Sequence, residues 1–135
     1  MPEKATERRA KAALRRGKKP TTAAGEYVRE EIEHVRRGKH GARSTKQAIA
    51  IGLSKARRAG IPLKPPKKGQ ASRRTRRSAE AAYEVGQRKR KPRAPSRRRS
   101  AASKGALKRE GKSAASRRAL SSQARRSASR RRSRR

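Results

Sequence analysis

The chain has 135 residues, of which 45 are Lys or Arg and nine are acidic, giving a net charge of +36. With no Cys, no Asp and only two His, it offers no thiolate nucleophile, no Cys-based zinc site and few of the converging groups that catalysis needs, so no enzymatic activity is expected. Five Leu, four Ile, three Val and no Phe make about 9% of the residues, below the roughly 20% that accompanies a packed core, so the composition implies a mostly disordered protein with a small all-α element.

Residues 1–21 form a basic N-terminal arm with scattered alanines. Any frayed helix there is expected to end at Lys18-Lys19-Pro20, because the residue before a proline is pushed away from helical backbone. Residues 22–63 contain eight of the twelve Leu, Ile and Val. Within them Val28, Ile32 and Val35 recur at i, i+4 and i+7, the apolar stripe of a helix. Glu26, Glu30 and Glu31 come early and Arg36-Arg37 late, as the helix dipole favours, and Gly38 is placed to stop the helix.

After a short loop, Ser44-Thr45-Lys46-Gln47 has capping-box spacing and opens a second helix over about 44–59. Gly60 stands at the left-handed stop, Ile61 folds back and Pro62 prevents continuation. Ala48, Ile49, Gly52, Leu53, Ala56 and Ala59 share one face, and its small residues would let a partner helix approach closely. The two helices are expected to pair as a helical hairpin at about 22–61, flanked by basic low-complexity tails.

Residues 64–135 read as a disordered Arg/Ser/Ala-rich tail that opens on a Pro- and Lys-rich linker and has a weak helix near 78–91. Inside it Ser100–Leu107 reappears as Ser113–Leu120, each copy sufficient for two helical turns once its charges are neutralised. The tail from residue 67 holds 24 of the 36 net charges. The longest apolar run, Ala48–Leu53, is six residues, far short of a membrane span, and the N-terminus carries no apolar signal-peptide core, so a cytoplasmic protein is expected.

A chain so charged is drawn to dense polyanions. Thirty Arg against fifteen Lys matters here, because guanidinium forks bind phosphates bidentately and are weakly hydrated. The candidate phosphate contacts are Lys46, Arg57 and Arg58 on the outer face of the second helix, then Arg73, Arg74, Arg76 and Arg77. Further clusters are Arg88, Lys89, Arg90 and Lys91; Arg97, Arg98 and Arg99; Arg117 and Arg118; Arg125 and Arg126; Arg130, Arg131 and Arg132; and the terminal Arg134-Arg135. Single-stranded RNA modules rely on stacked aromatics, and only Tyr27 and Tyr83 are available, so sequence-independent binding of double-stranded DNA is favoured over RNA or ribosome association. Ile51, apart from the Ile49/Leu53 stripe on a basic face, is a candidate for self-association on DNA. His34 and His40, with Glu30, Glu31 and Glu33 nearby, have metal-ligating chemistry. A solvated polar face is the simpler expectation, so no metal and no cofactor are assigned.

The window Arg43–Ile61, with Arg-Ser-Thr-Lys-Gln-Ala-Ile-Ala-Ile-Gly-Leu-Ser-Lys-Ala-Arg at its head, resembles an element of small, highly basic bacterial proteins of unknown function. The repeated Ser-Ala-Ala-Ser…Ala-Leu segments are similar to tails of the same group, and the tail composition resembles bacterial linker-histone-like and protamine-like proteins. The resemblance implies a bacterial, nucleoid-associated, histone-like protein and brings no catalytic residues with it.

Overall fold

The computed structural model describes residues 2–133. Six α-helices follow in order: α1 (Lys4–Arg15), α2 (Pro20–Arg36), α3 (Thr45–Arg58), α4 (Arg73–Gly86), α5 (Arg97–Arg109) and α6 (Arg117–Ser133), with a 3-10 turn at Ser113–Ala115 between the last two. The expectation of a mostly disordered chain is overturned. The flanks of the α2–α3 pair are not disordered low-complexity tails either, since α1, α4, α5 and α6 occupy them.

The physical reason is alanine. A composition test that counts Leu, Ile, Val and Phe leaves out 24 Ala, twice the number of aliphatic side chains present. Alanine is the best helix former and loses no side-chain entropy on burial. Ten of the fourteen buried hydrophobic residues are Ala.

Helix ends are fixed by one repeated device. Gly17, Gly38 and Gly60 take φ of +78°, +75° and +98° after α1, α2 and α3. The next amide reaches back in each case: Lys18 N to Ala13 O (3.0 Å), Lys39 N to His34 O (3.0 Å) and Ile61 N to Ala56 O (3.1 Å). After α4 the same bond, Lys89 N to Glu84 O at 2.8 Å, closes with Arg88 rather than glycine in the left-handed region, φ +61°. The N-terminal arm is stopped by Gly17 and not by Pro20, which opens α2, where its missing N–H costs nothing.

Two compact units divide the chain: the residues up to Glu30 with Ala50–Ala94, and Glu31–Ile49 with the residues from Pro95 onward. The first has an apolar core of Ala10, Ala23, Ala24, Tyr27, Ala56 and Ile61, on which Ala13, Leu14, Leu53, Ala59 and Leu63 pack. Its helices approach closely at glycines. A Cβ on Gly52 would lie 2.6 Å from the Val28 Cα, and one on Gly86 would strike the Arg57 carbonyl oxygen. Tyr27, wholly buried, has no hydrogen-bond partner for its hydroxyl among the described residues. Burial, and then the nearby Glu7 and Glu30 carboxylates, push its pKa up to about 12.

The second unit is tied by polar groups. Thr45, buried, donates its hydroxyl to Ala114 O, and Arg36 Nε donates to Ala115 O at 3.0 Å. The Gly41 and Ala42 amides donate to Leu107 O (2.8 Å) and Gly111 O (3.2 Å). Gly41 has no room for a side chain, because a Cβ there would meet the Glu110 carbonyl. At the start of α3, Gln47 N donates to Ser44 Oγ (3.2 Å), while the Gln47 side chain accepts from Arg43 N (2.7 Å), a capping box shifted by one residue.

Candidate nucleic-acid interface

Each unit is strongly basic by itself. The first contains 24 Lys and Arg against six Glu, the second 21 against three. All the candidate phosphate contacts among the described residues are exposed except Arg57 and Arg76; Arg134 and Arg135 lie outside the described residues.

Arg57 does not face outward. Its side chain is buried, with Nε donating to Leu63 O at 3.1 Å and Nη2 to Lys64 O at 3.3 Å, and burial lowers its pKa from the ordinary arginine value. It fastens the chain that follows α3 and is removed from the phosphate-binding set. Arg58, its neighbour, is exposed. Arg76 is half-buried, and its Nε has no hydrogen-bond partner among the described residues. Arg90 is paired with Glu84 at 2.7 Å, and Ile51 is half-buried.

Six of the exposed arginines share one local setting. Three helices open on Ser-Arg-Arg: Ser72-Arg73-Arg74 at α4, Ser96-Arg97-Arg98 at α5 and Ser116-Arg117-Arg118 at α6. In each the serine Oγ accepts from the amide three residues on, Thr75 N at 3.2 Å, Arg99 N at 3.4 Å and Ala119 N at 3.1 Å. None of the three has an acidic residue in its first turn, whereas α1 has Glu7. Cations at a helix N-terminus oppose the macrodipole by roughly 0.3–1 kcal/mol each, and the same amides and guanidinium groups favour an anion there. The triplets are visible in the sequence; that each stands at a helix start is not, because those segments read as disordered.

No family model, curated protein or solved structure matches this chain. No helix among the described residues is long and apolar enough to cross a membrane.

The expected solvated face of glutamate and histidine on α2 holds for Glu33, whose side chain is 40% exposed, and fails for three of its neighbours. Glu30, Glu31 and His34 are buried. In the second unit Glu31 Oε1 lies 3.7 Å from His34 Nδ1 and Glu31 Oε2 lies 3.1 Å from His40 Nε2, with the imidazoles edge to face at 6.0 Å between centroids. The turn at Gly38 brings His40 back to Glu31, and only the folded chain shows it.

Proposed function

We propose that the protein is a non-enzymatic, sequence-independent binder of double-stranded DNA, which neutralises and compacts it through Arg and Lys contacts to phosphate. The observation that carries this reading is the triplicated Ser-Arg-Arg helix start. Arginines that weaken their own helices are explained if an anion compensates them, and phosphate suits both the positive end of the helix dipole and the guanidinium forks. Released counterions then supply affinity without any reading of bases. Burial of Tyr27 leaves half-buried Tyr83 as the one remaining aromatic ring of its kind, which disfavours single-stranded RNA with its demand for stacking platforms. On this reading a bacterial chain of this type coats the nucleoid, with RNA or ribosome association as the competing assignment.

The test is fluorescence anisotropy with a random-sequence duplex over a salt series. Each neutralised phosphate contributes roughly −0.9 to the log–log slope. Changing Arg73, Arg74, Arg97, Arg98, Arg117 and Arg118 together to Gln is expected to make the slope shallower by about 5 while helical circular dichroism holds or rises. An unchanged slope, or tighter binding to single-stranded RNA than to duplex, overturns the proposal.

A further inference from the structure

We propose that Glu31, His34 and His40 form a binding site for a divalent transition-metal ion of the zinc class. Glu31 and His34 lie one turn apart on α2, and His40 is delivered by the loop that begins at Gly38. The three potential ligand atoms lie within 4.8 Å of one another. A tetrahedral zinc with ligands at about 2.0–2.1 Å sets neighbouring ligand atoms about 3.3 Å apart. Glu31 faces His40 Nε2 with Oε2 at 3.1 Å and His34 Nδ1 with Oε1 at 3.7 Å, so each imidazole stands near that spacing from the carboxylate, and one shared ion would draw the three ligand atoms closer together.

The hydrogen atoms point the same way. His40 Nδ1 is 2.8 Å from Gly41 O, and a carbonyl only accepts, so this nitrogen carries a proton and donates. In the neutral ring that leaves the Nε2 lone pair facing a Glu31 carboxylate oxygen 3.1 Å away. That nitrogen and the carboxylate oxygen share a cation, which is a proton when the ring is charged and a metal ion when the ring is neutral. A ring nitrogen anchored to a backbone carbonyl while the other ligates is the common second-layer arrangement of metal-bound histidine.

Burial and donor chemistry narrow the ligand. The Glu31 side chain is 0% exposed, while those of His34 and His40 are 11% and 19% exposed, so the cluster has a dry carboxylate and an imidazole edge open to an incoming ion. Two imidazoles and one carboxylate suit zinc and its neighbours; calcium and magnesium prefer oxygen throughout. Three protein ligands leave a fourth position for water or an exogenous group. Because Gly41 and Ala42 donate to Leu107 O and Gly111 O, an ion at His40 would also hold the loop on which the end of α5 is seated.

The experiment uses the full chain, freed of metal with a chelator and free of DNA. Titration with cobalt(II) is expected to give the intense visible absorption of four-coordinate cobalt, displaced by equimolar zinc, and zinc is expected to raise the melting temperature. Glu31→Gln tests the carboxylate but risks misfolding, so His40→Gln, in a partly exposed loop, is the deciding variant: helical circular dichroism retained, zinc affinity lowered at least roughly tenfold. Glu33→Gln is expected to bind as wild type. Absence of the cobalt spectrum, a spectrum unchanged in His40→Gln, or a melting temperature indifferent to zinc but moved by protonation of the histidines overturns the proposal.

Discussion

The two units have the same excess of positive charge and hold it together by different means. The first buries Ala10, Ala23, Ala24, Ala56, Ile61 and Tyr27 in one apolar cluster, with helix backbones brought together at Gly52 and Gly86. The second relies on side chains and amides that grip the carbonyls of its C-terminal segment: Thr45 on Ala114, Arg36 on Ala115, Gly41 on Leu107 and Ala42 on Gly111. A chain poor in large apolar residues thus has two routes to order. Alanine allows close packing where helices meet, and in the second unit, which also buries Ile32, Val35, Ala42, Ala48, Ala114 and Ala115, hydrogen bonds to backbone carbonyls fix the C-terminal segment. The net stabilisation per contact is small in both, which places the vulnerable points at different kinds of residue.

The largest effect is expected where the first unit has no space. Gly52→Ala sets a methyl group against the Val28 backbone, which no flexible side chain can relieve. We expect a loss of about 2–3 kcal/mol, read by thermal melts and by faster hydrogen exchange around Tyr27 and Leu53. A variant as stable as wild type would show that this unit is not held by close helix approach.

Next comes the pair Arg57 and Arg58, adjacent in sequence and opposite in role. Arg57→Met removes two charge-assisted bonds to Leu63 O and Lys64 O, costing roughly 2–3 kcal/mol in urea titrations. Arg58→Met is expected to stay within about 0.5 kcal/mol of wild type, while the salt slope for duplex DNA becomes shallower by roughly 0.9. Equal effects of the two on both measurements would erase the distinction between a structural and a surface arginine.

In the second unit the corresponding test removes a polar tie. Thr45→Val keeps the shape but leaves Ala114 O without this donor, a loss of about 1–2 kcal/mol, seen as faster exchange of amides near Ala115 and the start of α6. If Thr45→Val is neutral, the hydrogen bonds do not carry the second unit.

The smallest effect returns to the first core. The Tyr27 pKa is raised from 10.0 to about 12 in the folded state, so its contribution to stability is complete below pH 10.0 and is lost as pH rises through about 12. Melts across that window are expected to show this loss in wild type and not in Tyr27→Phe. At neutral pH the phenylalanine variant, free of an unpartnered buried hydroxyl, is expected to gain about 1 kcal/mol.

Helix starts and stops were legible where a local rule applies. Val28, Ile32 and Val35 mark α2, the Ser44/Gln47 pair marks the start of α3, and Gly38 and Gly60 take the left-handed conformations their positions demand. Gly52 is also where its small side chain anticipates close approach. Charge and helix phase did not reveal that Arg57 turns inward, since its partners are carbonyls at Leu63 and Lys64 beyond the helix end. Nor did composition reveal α1, α5 and α6, because alanine burial depends on what it meets.

The internal repeat draws the line most clearly. Ser100–Leu107 and Ser113–Leu120 share their Ser-Ala-Ala-Ser and Ala-Leu elements, and sequence alone determined that both have helix-forming alanines, serines and positive charge. The first copy lies wholly within α5. In the second, Ser113–Ala115 is a 3-10 turn with Ala114 and Ala115 buried, and Ser116 caps the start of α6. Only tertiary structure decided this difference. The carbonyls of Ala114 and Ala115 accept from Thr45 and Arg36, so they are held by donors distant in sequence and the helix begins anew behind them.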